Sequence, residues 1–263
     1  MVLLLLLAAC ARAPQTVRLA LLASFEGRYR EIGYNALYAA RLALADSGMM
    51  NIELLPIDDG GTAATAVERA RALAGDPQVI GAVVLGFTSA NVDTLTAFGD
   101  VPVIVVGNWG AEPISDNIFI LSSSQIPAQL TADIPLSITG AARLDAPLAG
   151  GDIFALEQFP ELRPDLSGIT VISSGLLPDA DFATRYKGSD PFAPEPGLLA
   201  TLIYDAFRLL AADTLTRPAL RDRLAAGEYT GFNGLIRFED GWWANAPIHR
   251  YFYNTDAQLQ PES

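Results

Sequence analysis

The sequence predicts an α/β protein built on a doubly wound parallel sheet, and three observations carry that expectation. Apolar runs with almost no polar alternation stand at 17–23, 79–85 and 101–106. Such runs mark strands buried on both faces. Stretches of helical periodicity stand between strand segments at 29–46 and 63–73. The runs end in short loops of Gly, Ser, Asn or Asp, and strand–helix alternation of this kind gives a parallel sheet covered by helices.

The segment 79–110 organises the rest. Its first strand leads into a sharp loop at Gly86-Phe87-Thr88-Ser89, then a short helix to about Phe98. A second strand follows at 101–106, closed by Gly107-Asn108-Trp109-Gly110. In open α/β sheets ligands sit just outside the carboxyl ends of the strands. Thr88 and Ser89 fall at one such end and are expected to open the helix, where free backbone N–H groups and small hydroxyls suit a carboxylate. Asn108 and Trp109 fall at the next strand end, so two neighbouring loops can hold one small ligand.

The chain of 263 residues is long enough for one large domain or two smaller lobes, and 51% hydrophobic residues with 18% charged ones is a globular composition. A formal net charge of −13 excludes a nucleic-acid partner, which needs a basic patch. A single cysteine excludes an internal disulfide, and a single histidine excludes a multi-histidine metal site.

In chain order, 1–10 reads as a signal peptide whose apolar run ends Leu7-Ala8-Ala9-Cys10, the pattern of a bacterial lipobox with Cys10 as the lipidated residue. No Lys or Arg precedes the run, a departure from the usual pattern. The alternative is a buried N-terminal strand with an inert thiol. Residues 11–16 read as a tether. A strand at 17–23 leads through Ser24-Phe25-Glu26-Gly27 into a helix at 29–46, with Ile32, Ala36, Ala39, Ala40, Ala43 and Leu44 inward. A strand at 52–57 ends in Asp58-Asp59-Gly60-Gly61, read as a turn in preference to a metal site. Thr62 is the expected N-cap of the next helix. No G-x-G-x-x-G follows the first strand and no G-x-x-x-x-G-K-[ST] occurs, so a nucleotide cofactor has no motif behind it.

The order "VRLALLASFEGRYREIGYNALYAARLALAD", "IELLPIDDGGTAATAVERARALAGDPQVIGAVVLGFTSANVDTL", "VPVIVVGNWG" resembles the type I periplasmic binding proteins. Within them it is most similar to the solute-binding lipoproteins of ABC importers for branched-chain and other amino acids or amides. Later segments fit the same resemblance: "NIFILSSSQIPAQL" as the crossing into a second lobe, "GLLATLIYDAFRLLAAD" as a late helix, and "YTGFNGLIRFEDGWW" as a near-terminal hairpin. The resemblance implies that Thr88 and Ser89 hold a ligand carboxylate, with Asn108 and Trp109 in a small polar loop and Ser24 and Tyr29 near the first-strand loop. It places Asp152 where an acid meets the ligand's amino group through a charge-assisted hydrogen bond. Asp152 capping a helix at 153–159 is the equal alternative.

The departure from the resemblance lies in the second lobe. The stretch 126–145 is too short for even one βαβ unit of about 30 residues, so much of that lobe is expected to be missing. The expected organisation is a first lobe at 17–121, a truncated second lobe at 122–175, helices returning to the first lobe at 176–230, and a closing hairpin and tail at 231–263. In that last part 235–238 is expected to pair with 248–253 around Asp240-Gly241, with Trp242 and Trp243 covering core and a frayed end after Thr255. A proline-rich link is expected at 190–196, and helices at 182–187, 198–215 and 218–226.

The resemblance implies a non-enzymatic, lipid-anchored protein on the outer face of a membrane that passes a small amino-acid-like solute to an ABC permease. The alternative on the same fold is an envelope regulatory or scaffold lipoprotein that binds no transported solute. Catalysis finds no support: there is no G-x-S-x-G elbow, no metal spacing and no histidine-centred triad, and His249 has no visible partner.

Overall fold

The computed structural model describes residues 16–131, 138–211 and 216–262. The signal peptide and Cys10, most of the tether, and the last residues of the helix expected at 198–215 lie outside the described residues.

The first sheet starts with β1 (Val17–Ala23), followed by α1 (Arg30–Ser47), β2 (Ile52–Asp58), α2 (Ala63–Gly75), β3 (Val79–Val84), α3 (Val92–Ala97), β4 (Val103–Val106) and β5 (Ile118–Leu121). The five strands are mutually parallel in the order β2-β1-β3-β4-β5. Every residue of β3, β4 and β5 is buried, as their unbroken apolar runs require. Thr62 caps α2 through its hydroxyl, which accepts from the Thr65 amide. The order turns back between β1 and β3, so the crevice between their carboxyl ends is the topological switch point.

The chain then crosses into a smaller unit: α4 (Ile138–Ala141), β6 (Leu148–Gly150), α5 (Gln158–Leu162) and β7 (Ile169–Ser173). Next come α6 (Ala180–Gly188), α7 (Leu198–Leu210) and α8 (Arg217–Ala226). Helix α7 packs along α1 on one face of the first sheet, and α2 packs with α3 on the other. The chain ends with β8 (Tyr229–Gly231), β9 (Gly234–Ile236), β10 (Phe238–Glu239), β11 (Trp242–Trp243), β12 (His249–Tyr253) and β13 (Leu259–Pro261). No helix among the described residues is long and apolar enough to cross a membrane.

The C-terminal part departs from expectation. Asp240 and Gly241 both adopt positive φ (50° and 78°), the geometry of a two-residue hairpin loop. That loop pairs Phe238 with Trp243 and Glu239 with Trp242, so the hairpin closes on the tryptophans and not on 248–253. Trp242 then joins the first sheet beside Ile120, and Trp243 is buried with its indole N–H donating to the Leu235 carbonyl at 2.9 Å. Strand β12 instead joins the second sheet, antiparallel to β7, giving the order β13-β12-β7-β6. The end does not fray: the Asn254 carbonyl oxygen of the side chain accepts from the amides of Asp256 and Gln258, and this turn returns β13 onto β12. The helix expected at 153–159 is likewise broken. One 3-10 turn at Asp152–Ala155 precedes an extended Leu156, which lets Phe154 and Phe159 both bury and stack at 4.4 Å.

Candidate functional site

The carboxyl ends of β1, β2 and β3 meet at the switch point. Their loops are held by two adjacent acids from the turn after β2. Asp58 Oδ1 accepts from the amides of Phe25 and Glu26, at 2.6 and 3.2 Å, and Oδ2 accepts from Gly60. Asp59 is fully buried; its Oδ2 accepts the hydroxyls of Ser24 at 2.7 Å and Ser89 at 3.1 Å, and its Oδ1 accepts the Gly61 amide at 2.8 Å. The Asp-Asp-Gly-Gly segment is therefore a turn that also stitches three loops together. Among the described residues no cluster of histidine, cysteine and acid side chains is arranged to hold a metal.

Thr88 and Ser89 do not open a helix. Asn91 is the N-cap of α3, its side-chain oxygen accepting from the Thr94 amide at 3.0 Å, while the Ser89 hydroxyl, an equally good cap by type, is committed to Asp59. Gly86, at φ 88°, folds the loop back so that the Ser89 and Ala90 amides donate to the Gly86 carbonyl. The Ser89 amide and hydroxyl are thus both engaged within the chain. The Thr88 carbonyl accepts from the Asn91 side chain.

At the next strand end Trp109 is buried. Its indole N–H donates to the Val106 carbonyl at 2.6 Å, and its ring stands edge-on to Phe87 at 5.1 Å. The neighbouring Asn108 amide reaches into the second unit and donates to Asp152 Oδ2 at 2.6 Å. The other oxygen of Asp152 accepts the Ser173 hydroxyl at 2.5 Å, and Asp152 is fully buried. Burial pushes the Asp152 carboxyl above the ordinary range, opposed by these two hydrogen bonds. Gly151 and not Asp152 stands at the N-cap of the 3-10 turn, and the Asp152 backbone amide adds a third hydrogen bond that lowers the carboxyl.

Tyr29 lies at the edge of the same crevice, and its hydroxyl accepts from the Ile138 amide at 3.1 Å. Beside it, Glu31 on α1 accepts from the Glu157 amide at 2.7 Å, while the Gln158 side chain donates to the Arg28 carbonyl at 2.7 Å. On the far side, the Ser123 amide donates to the Ser174 hydroxyl at 2.9 Å. The two units are therefore hydrogen-bonded across the whole width of the crevice. A cavity of about 750 Å³ opens beside the Glu31 contact, lined by Arg28, Tyr34, Tyr38, Glu157 and Phe192 among others; none of the strand-end residues lines it. Sequence reading took Asp59 as a turn residue only and gave Ser173 and Glu31 no role, because their partners are distant in the chain.

Burial raises the Glu31 carboxyl from 4.5 to about 7, against the lowering pull of the Glu157 and Gln158 amides. The folded protein thus holds a proton there that the unfolded chain has already released between these values. That contribution to stability is complete below about pH 4.5 and is lost as the pH rises through about 7. Thermal unfolding of the wild type should show this decline, and Glu31→Gln should lack it. Parallel profiles for the two proteins would contradict the assignment.

The fold is that of the type I periplasmic binding proteins. It is similar to the branched-chain amino acid transporter substrate binding protein LivJ from Streptococcus pneumoniae, solved in complex with isoleucine. The TM-score is 0.69 at 16% identity, covering 94% of this chain and 100% of that one. It is similar to an ABC transporter solute binding protein from R. palustris in complex with benzoate, with TM-score 0.71, 16% identity, and 94% and 95% of the two chains covered. It is also similar to a leucine binding protein, LivK, from Thermotoga maritima, with TM-score 0.72, 12% identity, and 94% and 98% covered. No protein-family model and no curated protein matches the sequence.

Proposed function

We propose that this chain is an extracytoplasmic solute-binding protein that captures a small amino-acid-like ligand in the crevice between its two units and delivers it to an ABC permease. The observation that carries the reading is the meeting of Asn108, a backbone donor after β4, with Asp152, an acid after β6, across that crevice. One suits the carboxylate of an amino acid and the other its ammonium group. The fold supports the same reading, since similar structures are named for isoleucine, leucine and benzoate. Binding is non-covalent, needs no cofactor or metal, and leaves the solute unchanged. Cys10 would carry the lipid that anchors the protein to the membrane. The second unit, with four strands against seven in the first sheet among the described residues, would form a shortened lip.

One observation favours the regulatory or scaffold alternative. The Ser24 and Ser89 hydroxyls and the Asn108 amide are all engaged by the chain's own acids. A thermal-shift screen of the purified chain carrying Cys10→Ser, against amino acids, amides, carboxylates and sugars, separates the two. A ligand at 100 times its dissociation constant adds about 2.7 kcal/mol, which for a chain of this size is about 5–10 °C. Cooperative unfolding with no shift from any solute would overturn solute capture and leave the scaffold reading.

A further inference from the structure

Two cavities share a wall at α5. The first, of about 750 Å³, runs against α1 and is lined by Arg28, Arg30, Tyr34 and Phe192. The second, of about 420 Å³, is lined by Pro160, Leu177, Tyr253 and Leu259. Glu157 and Glu161 line both and form the ridge between them. Four residues apart, they stand on the same side of α5. Among the described residues neither carboxylate has an ion pair or a hydrogen bond. Burial raises the Glu157 carboxyl, and the neighbouring Glu195 and Glu161 push it the same way, with no cation acting against them. Arg28 and Arg30 line only the first cavity, so the second has no cation in its wall. The walls are fixed. Glu31 ties the start of α5 to α1 by accepting the Glu157 and Gln158 amides at 2.7 and 3.4 Å. Phe192 is 81% exposed, yet its amide donates to Asp190 Oδ1 at 2.9 Å, and Asp190 pairs with Arg41 at 2.8 Å. On the other side the Tyr253 hydroxyl donates to the Phe154 carbonyl.

We propose that this double groove is a docking surface for an extended polypeptide segment of a partner, with a lysine or arginine on the Glu157–Glu161 ridge and an apolar or aromatic side chain in each cavity. None of the strand-end residues lines either cavity, so the surface is separate from the crevice and does not rest on solute capture. In an extended segment side chains two apart point the same way. Residues i, i+2 and i+4 then reach the first cavity, the ridge and the second cavity in turn, which no single amino acid can do. A cation on the ridge relieves the repulsion between the two acids, and the net charge of −13 draws a basic segment in from a distance. An exposed aromatic on a pinned loop, as Phe192 is, anchors such a contact without being ordered first. The first cavity is walled by α1 of the first unit and α5 of the second, so the occupant touches both units at once.

The test is calorimetry on the full chain carrying Cys10→Ser. The probe is acetyl-Phe-Gly-Arg-Gly-Leu-amide, and the control is the same peptide with glutamine in place of arginine. Blocked ends keep free amino and carboxyl groups out of the comparison. The arginine peptide should bind about tenfold tighter than the control or better, and raising NaCl from about 50 to about 300 mM should shrink that difference. Glu157 and Glu161 are exposed, so the double variant Glu157→Gln, Glu161→Gln keeps the fold and should lose the tenfold preference. Phe192→Ser should weaken both peptides about fivefold or more. Equal affinity for the two peptides, or a preference that survives the double variant, overturns the role of the ridge. Argininamide binding as tightly as the peptide would make the ridge a small-cation site and overturn the polypeptide partner. Failure of both peptides to bind overturns the docking surface, whatever a solute screen gives.

Discussion

Asp205→Ala should destabilise the protein by about 4 kcal/mol, from two buried donors and one half-buried donor left without an acceptor at about 1–3 kcal/mol each. Asp205 lies buried in the middle of α7 and collects the Phe232 amide at 2.8 Å, the Asn233 amide at 2.9 Å and the Asn233 side chain at 2.8 Å. Those donors form the turn between β8 and β9. Asn233 in turn accepts from the Leu176 amide and the Thr201 hydroxyl, so the loss spreads to the loop after β7. Burial alone raises the Asp205 carboxyl, and the Asn233 and Phe232 hydrogen bonds pull it back. Asn at this position is no remedy, since its NH₂ group would face donors. The turn is equally intolerant from the other side: a Cβ on Gly231 would lie against the Asp205 carboxylate. At about 2–4 °C per kcal/mol the melting temperature should fall by roughly 8–16 °C, measured by circular dichroism. A drop of less than about 4 °C would show that the turn finds other acceptors.

Strands β1, β3 and β4 of the first sheet were legible because they are buried on both faces, which leaves a run of Val, Ile and Leu that no surface strand needs. Helix α1 was legible through its inward stripe, and α2 through its Thr62 cap. The C-terminal pairing was not. Strands β10 and β11 are two residues each, too short for periodicity, and β12 pairs with β7, a strand distant in the chain. The candidate site was legible only as residue types at strand ends: Ser24, Ser89, Asn108 and Asp152 were singled out that way, and the structure joins Ser24 and Ser89 through Asp59 and, separately, the Asn108 amide with Asp152. What the sequence could not say was who accepts from whom. Asn108 and Asp152 are 44 positions apart, and Ser24 and Ser89 stand 35 and 30 positions from the acid they share. A hydroxyl offered to a ligand and one committed to a buried carboxylate look the same in a string of letters.

Asp59→Ala should separate the architecture of the switch point from its chemistry. The substitution orphans the Gly61 amide and the hydroxyls of Ser24 and Ser89, all held by one fully buried carboxylate. Hydroxyls rotate to find other acceptors more easily than an amide does, so about 3 kcal/mol is expected, or roughly 6–12 °C in melting temperature. The decisive comparison is the triple variant Asp59→Ala, Ser24→Ala, Ser89→Ala. If the cost of the single change lies in stranded donors, removing the two hydroxyls as well should restore part of the lost stability, because deleting both partners of a buried bond is cheaper than deleting one. The triple variant should then melt above the single one despite carrying more substitutions. A triple variant that melts lower still would mean that the serines act through packing, and that the acid after β2 is a turn residue and nothing more. Asp59 follows β2, and its carboxylate joins the loops after β1 and β3, the ends at which a doubly wound sheet offers its ligand crevice. Recovery in the triple variant would therefore identify the first lobe's half of the crevice as a floor that is rigid before any ligand arrives.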